Sequence, residues 1–174
     1  MKTYKNYLPK EFFNKLNTTV SSSNFPWYFS SRLLSYSKKE SSDNFFMFHR
    51  LLDYGVENTI TSNFFDMFYP LIYFLDKKHK VNNLMRMQIN MYTNQNKKIS
   101  HPPHIDFHDE PGEKTKGVKT GLFNFTTCNG GTNIDKKFYE SKANEFHVFD
   151  NDTKHFGVIQ TNTPIRIIIN VNWR

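Results

Sequence analysis

From residue 83 the chain keeps a two-residue rhythm. In "NLMRMQINMYT", Leu84, Arg86, Gln88 and Asn90 alternate with Met85, Met87, Ile89 and Met91. Period two is the signature of a strand with two unlike faces. "VKTGLFNFTT", "ESKANEFHVFD", "HFGVIQ" and "IRIIINVNW" follow, separated by clusters of Gly, Asn, Asp, Thr and Pro. Short strands with such punctuation predict an all-β sandwich or barrel. "IRIIINVNW" is apolar at almost every position, which predicts a strand covered on both faces. Gly130-Gly131 reads as a hairpin turn.

The first 82 residues have a different pattern. "LPKEFFNKLNTTV" predicts a short helix starting near Pro9, with Phe12, Phe13 and Leu16 on one side. "NFPWYFSS" reads as extended, with Trp27 and Tyr28 as core residues. "FFMFHRLLDYG" (45–55) begins as a strand. "SNFFDMFYPLIYFLDKKHK" (62–80) is the strongest helix: Phe64, Met67, Phe68, Leu71, Ile72 and Leu75 keep helical spacing, and Ser62 or Asn63 caps the start. Pro70 must kink this helix or restart it. The serine-rich stretches at 21–23 and 30–42 read as loop. These elements predict one domain over residues 1–174. Residues 1–82 form a helical cover and residues 83–174 a β core, a jelly roll or barrel packed against helices.

Composition adds limits. Only 37% of the 174 residues are hydrophobic, but 18 are Phe, and large rings can fill a core. The net charge is +7, carried by lysines in scattered pairs with no basic run of five. That pattern reads as a solvated surface more than as a nucleic-acid stripe, so a nucleic-acid partner is not favoured. The single cysteine, Cys128, excludes an internal disulfide framework and fits a reducing compartment. Cys128 reads as a turn residue. No run of 18 apolar residues predicts a membrane-spanning helix, and "MKTYKNYLPKEFF" lacks a signal-peptide core. A cytoplasmic protein is expected.

The chemistry gathers in "HPPHIDFHDEPG" (101–112). On a strand, His104 and Asp106 project to the same side. Two such ligands hold a divalent ion weakly, so a third must come from elsewhere. His79, among lysines at a helix end, reads as a solvated cap. His49 is expected far from the β-rich part, and His147 reads as packed in its strand. His155 follows the turn "DNDT" and can face a barrel mouth, so it is the third candidate. Two histidines and a carboxylate form the facial triad of non-haem Fe(II) sites, which leaves positions for a bidentate oxoacid and dioxygen. An oxoacid needs a cation for its far carboxylate. Arg166, eleven residues after His155 on the face of Ile168 and Asn170, suits it. His101 reads as structural or solvent-facing. His108 reads as a loop residue that shares the ligand face if the strand continues.

"HID", the later His155 and Arg166, with "GLFNFTTCNGGTNI", "ANEFHVFDNDTKHFGV" and "TPIRIIINVNW" around them, resemble the 2-oxoglutarate and Fe(II)-dependent dioxygenases. "NFPWYFS" is similar to a prolyl 4-hydroxylase-like branch frequent in bacteriophages. The resemblance is close over residues 84–174 and loose before them. It implies a double-stranded β-helix, the cupin-like jelly roll. It implies Fe(II) at His104, Asp106 and His155, with 2-oxoglutarate on the iron and its distal carboxylate on Arg166; these four are the implied catalytic residues. It also implies a second co-substrate contact from a neighbouring strand, for which Tyr92 and Asn90 are the candidates. The implied reaction consumes O2 and 2-oxoglutarate, gives succinate and CO2, and hydroxylates an unidentified substrate, with ascorbate as a supporting reductant. A nucleic-acid hydroxylase or demethylase, and a metal-binding jelly roll without turnover, are the alternatives. Loops 92–103 and 108–120 would set the substrate.

Overall fold

The computed structural model describes residues 1–31, 45–53, 59–106 and 117–174. In chain order the elements are β1 (Lys2–Tyr4), α1 (Lys10–Val20), β2 (Tyr28–Ser30), β3 (Phe46–Asp53), β4 (Thr59–Ile60), a 3-10 turn (Phe65–Phe68), α2 (Tyr69–His79), β5 (Leu84–Thr93), β6 (Lys119–Asn124), β7 (Gly131–Ile134), β8 (Lys137–Glu140), β9 (Glu145–Asp150), β10 (His155–Val158) and β11 (Ile165–Trp173). An eight-stranded sheet runs β1-β9-β6-β11-β5-β3-β2, with β4 on β3. A three-stranded sheet runs β10-β7-β8. Every described pairing is antiparallel. Crossovers between non-consecutive strands and two facing sheets make a jelly roll.

The two faces of the large sheet differ, as the period of two requires. Ile167, Ile169, Val171 and Trp173 of β11 join Met87 and Ile89 of β5, Phe123 of β6, and Phe146 and Val148 of β9 in one core. Leu16 and Val20 of α1 and Leu71 and Leu75 of α2 close that core from outside. Gly121 is part of this packing: a Cβ there would stand 2.4 Å from the Phe146 ring and 3.0 Å from Trp173. The opposite face carries Phe46, Tyr92, Leu122, Phe149 and Ile168, which meet Ile134 and Tyr139 of the small sheet. Between these apolar groups stand the polar residues of the site.

Residues 1–82 are more than the helical cover expected from sequence. They supply β1 to β4, and β3 pairs with β5 in the middle of the large sheet. His49 is therefore inside the β architecture. Its Nδ1 donates to Pro26 O at 2.7 Å, and its Nε2 meets Ser62 Oγ at 2.7 Å. Such a pairing joins segments distant in sequence, which local periodicity does not report. Phe12 is 44% exposed, because the buried stripe of α1 runs through Leu16 and Val20. Tyr28 is exposed too, while Trp27 packs on the core.

The helix expected over 62–80 is divided. Ser62 Oγ accepts the Phe64 N–H at 3.0 Å, as expected of a cap. The 3-10 turn follows, and Pro70 lies in the first turn of α2, where its missing N–H costs nothing. His79 is not a solvated cap: its ring sits edge-on to Tyr4 and Trp173 at 5.6 and 5.7 Å. Gly130-Gly131 is not the hairpin turn, since Gly131 opens β7. The turn is Asp135-Lys136, both left-handed at φ 48° and 66°. Cys128 is buried in the segment between β6 and β7. No described helix is long and apolar enough to cross a membrane. His108, Asp109 and residues 32–42 of the serine-rich stretch lie outside the described residues.

Candidate metal and anion site

His104 and His155 are brought together by the backbone. Each donates its N–H to the other's carbonyl at 3.0 Å, an isolated antiparallel bridge between the loop after β5 and the start of β10. Their rings lie 4.6 Å apart. Asp106, two residues on, reaches the same space: its Oδ1 is 3.7 Å from His104 Nε2 and 3.4 Å from His155 Nε2. The three ligand atoms all lie within 4.8 Å of one another.

The orientation of each ring is fixed from behind. His104 Nδ1 is 3.0 Å from Pro102 O, and His155 Nδ1 is 3.1 Å from Thr153 O. A carbonyl can only accept, so both Nδ1 atoms carry the proton, and in the neutral rings both Nε2 lone pairs face inward. His155 Nε2 is buried and makes no hydrogen bond. Two imidazole lone pairs and a carboxylate oxygen converging on one point repel unless a cation stands among them. A proton on His155 serves one contact, whereas a divalent ion serves all three. The donor set fits an ion bound by two imidazoles and a carboxylate.

Electrostatics agree. Burial alone would push the Asp106 carboxyl up, but His155, Arg86 and His104 overcome it and hold it well below the usual carboxylate range. Burial works against a charged His155, and the Asp106 carboxylate reverses this and raises it. Asp106 is held further by Asn172, whose Nδ2 donates to Oδ2 at 3.2 Å and to Thr120 Oγ1 at 3.0 Å. Arg86 Nη1 stands 3.9 Å from Oδ1.

Arg166 lies on the same inner face, opposite Tyr92 in the β11–β5 register. It is 1% exposed. Its Nη2 donates to Thr132 Oγ1 at 2.9 Å, and its Cζ lies 5.5 Å over the Tyr92 ring. Nε and Nη1 are buried with no partner. No described carboxylate pairs with it. A buried guanidinium without an anion is costly, and this one keeps N–H donors on Nε and Nη1 free for one.

Tyr92 and Asn90 both face inward, two residues apart. Tyr92 packs on Arg166 and on His101, whose ring is 5.1 Å away. Asn90 Oδ1 accepts from Gln88 Nε2 at 2.7 Å, and Gln88 Oε1 accepts from Arg50 Nε at 3.3 Å. Burial raises the Tyr92 hydroxyl above its ordinary value, and Asn90 acts to lower it against that larger effect. The structure thus brings His104, Asp106, His155, Arg166, Tyr92 and Asn90 into one interior. It adds Thr132, Asn172, Arg86 and His101. Asn172 continues the period of Arg166, Ile168 and Asn170 and was open to that reasoning. His101, expected to be structural or solvent-facing, is only 4% exposed and packs on Tyr92. Its place depends on a long-range pairing with Gly157 that no local pattern carries.

No known protein-family pattern matches the sequence, and no curated protein matches it. Solved structures do. An oxidoreductase of the 2OG-Fe(II) oxygenase family from Burkholderia pseudomallei superposes with a TM-score of 0.70 at 9% identity, over 97% of this chain and 82% of that one. A prolyl hydroxylase from Trichoplax adhaerens, in complex with a hypoxia-inducible-factor peptide fragment, gives 0.65 at 12% identity over 99% and 82%. The viral collagen prolyl hydroxylase of Paramecium bursaria Chlorella virus-1, as its 2OG complex, gives 0.54 at 16% over 99% and 93%. The chain has the fold of the 2OG-Fe(II) oxygenases.

Proposed function

We propose that residues 1–174 form one Fe(II)- and 2-oxoglutarate-dependent dioxygenase domain. It would convert 2-oxoglutarate and O2 to succinate and CO2 while hydroxylating a second substrate. His104 Nε2, Asp106 Oδ1 and His155 Nε2 would hold the iron. Bound Fe(II) supplies the redox centre at which dioxygen is activated, and the protein's part is placement. Pro102 O and Thr153 O keep the imidazoles turned inward. Asn172 and Arg86 keep the carboxylate ionised and aimed. Arg166 receives the distal carboxylate of 2-oxoglutarate through its unpaired N–H donors, on a floor made by Tyr92 and Thr132. Asn90 fixes the Tyr92 hydroxyl and so acts one step back from the co-substrate. Ascorbate would keep the iron reduced in an assay.

The observation that carries this reading is the 1% exposed Arg166 with two unpaired donors in the same interior as the ligand triad. A jelly roll that only bound a metal would have no use for a buried cation without an anion. The substrate is a protein side chain or a small molecule; the peptide-bound prolyl hydroxylase of the same fold supports the former. The scattered lysine pairs do not favour nucleic acid. A host-cell cytoplasmic setting, as for a phage-encoded enzyme, belongs to the same proposal. The test is succinate release from 2-oxoglutarate with Fe(II) and ascorbate. Wild type should release succinate even without substrate, and Arg166→Ala should not. No metal-dependent binding of 2-oxoglutarate to the wild-type chain would overturn the reading.

A further inference from the structure

Beside Arg166, on the same Tyr92 ring, stands a histidine that the proposed reaction does not use. His101 donates its backbone N–H to Gly157 O at 2.9 Å, which ties the loop after β5 to β10. Its Nε2 is buried without a partner. Gly157 opens the space between this ring and the guanidinium: a Cβ there would stand 2.7 Å from His101 Nδ1 and 3.7 Å from Arg166 Nη1. Imidazole and guanidinium therefore flank the same glycine, and both pack on the Tyr92 ring. Nη1 is one of the two orphaned donors of Arg166. His101 is not among the three residues that converge as a metal site.

Burial, then the charge of Arg166 and then that of His104, push His101 down to about 3. The ring is neutral and carries one N–H. A neutral ring tolerates the guanidinium where a second cation would be repelled, and it can still give a hydrogen bond to an anion.

We propose that His101 is a co-substrate-binding residue: it donates its ring N–H to the carboxylate that Arg166 holds, with Gly157 providing the clearance for both. This rests on the function proposed above. Arg166 supplies the charge, and His101 supplies a directed donor. The ligand class is a carboxylate at the far end of a metal-chelating oxoacid. A Gly157 substitution would act through His101 and Arg166, not through the metal.

The experiment titrates the full chain loaded with Mn(II) against 2-oxoglutarate by calorimetry, with Mn(II) affinity and thermal midpoint measured alongside. His101→Leu should weaken 2-oxoglutarate about tenfold, 1.4 kcal/mol, with Mn(II) affinity unchanged. His101→Gln, which keeps an N–H, should recover most of the loss. Gly157→Ala should weaken 2-oxoglutarate at least as much as His101→Leu. Equal binding by wild type and His101→Leu overturns the role of His101 and leaves the proposed reaction standing. Loss of Mn(II) affinity in His101→Leu also overturns it, since the residue would then serve the metal. No 2-oxoglutarate binding by the wild-type chain sinks both proposals. If His101→Leu does not fold, His101→Gln and Gly157→Ala decide: unchanged binding in both overturns the assignment.

Discussion

The two faces of the large sheet share the same strands and have opposite jobs. On β11, Ile167, Ile169, Val171 and Trp173 face the helices, while Arg166, Ile168, Asn170 and Asn172 face the small sheet. On β5, Met87 and Ile89 alternate with Gln88, Asn90 and Tyr92. The outer face holds the fold, through apolar side chains closed by α1 and α2. The inner face keeps Arg166 Nε and Nη1, His101 Nε2, His147 Nε2, His155 Nε2, Asn170 Oδ1 and Asn172 Oδ1 buried without partners. Unsatisfied buried groups destabilise, so the inner face is tolerated because the outer face is well packed. Residues one position apart should therefore fail in different ways.

The largest separation is expected between Asp106→Ala and Phe123→Ala. Removing the Asp106 carboxylate should abolish turnover and Mn(II) binding and should cost less stability than Phe123→Ala, because the loss of its pairing with His155 and Arg86 is offset in part by relief of its burial. Phe123 is wholly buried on the outer face. Its truncation should cost ~3–5 kcal/mol in denaturant unfolding and leave Mn(II) affinity intact in the folded fraction. A stability loss in Asp106→Ala comparable to that in Phe123→Ala would erase the distinction. Arg166→Met sharpens it further. Co-substrate binding should weaken by roughly a hundredfold, the scale of removing one partner of a buried charge pair. The ligand-free chain should be as stable as wild type or more so, since an unpaired buried cation has gone. Calorimetry and urea unfolding of one preparation check both halves.

Asn172→Leu tests the inner face one layer out. Its Nδ2 links Asp106 to Thr120, whose hydroxyl reaches Asn151 Oδ1 at 3.2 Å. Loss of such an orienting partner lowers metal affinity about 10- to 100-fold, and Mn(II) titration should read that loss with the 2-oxoglutarate affinity of the loaded protein little changed. Metal affinity equal to wild type would remove Asn172 from the site.

How much of this the sequence showed depends on the range of the interaction. His104 and Asp106 were found through the i, i+2 rule of an extended chain, although here they lie in a loop held by an isolated bridge, and β11's inner face was legible from the same period. His155 and Arg166 were reached from the chemistry a triad and an oxoacid require. His101 was not legible: Pro102 and Pro103 make it look like a loop residue, and its burial comes from Gly157, 56 positions later. Nor was β3's place beside β5, because the alternation of each strand says which face it buries but not which neighbour it pairs with. Tyr92 and Asn90 were found together, yet their division of labour rests on Gln88 and Arg50, whose ladder runs between β5 and β3.

The smallest predicted effect is a slope with pH. His147, on β9 and 3% exposed, is pushed down to about 4 by burial and then by Arg166. Its ordinary value is 6.5. Between these limits the unfolded chain takes up a proton that the folded chain refuses, so stability is full above pH 6.5 and falls as pH drops toward 4. For one histidine the slope is about 1.4 kcal/mol per pH unit. His49, on the outer side, is also held below its ordinary value, by burial, so it contributes with the same sign and the slope does not vanish in a His147 variant. Urea unfolding of the metal-free chain at pH 7 and pH 5 should show His147→Gln losing about one proton's share of the dependence. The two faces then separate once more. Arg166→Met removes one of the two causes that depress His147 and should flatten the slope in part, whereas Phe123→Ala should lower the whole stability curve and leave its slope alone. An unchanged slope in Arg166→Met would mean that the guanidinium is not felt across the interior, and the inner face would lose its claim to be one electrostatic unit.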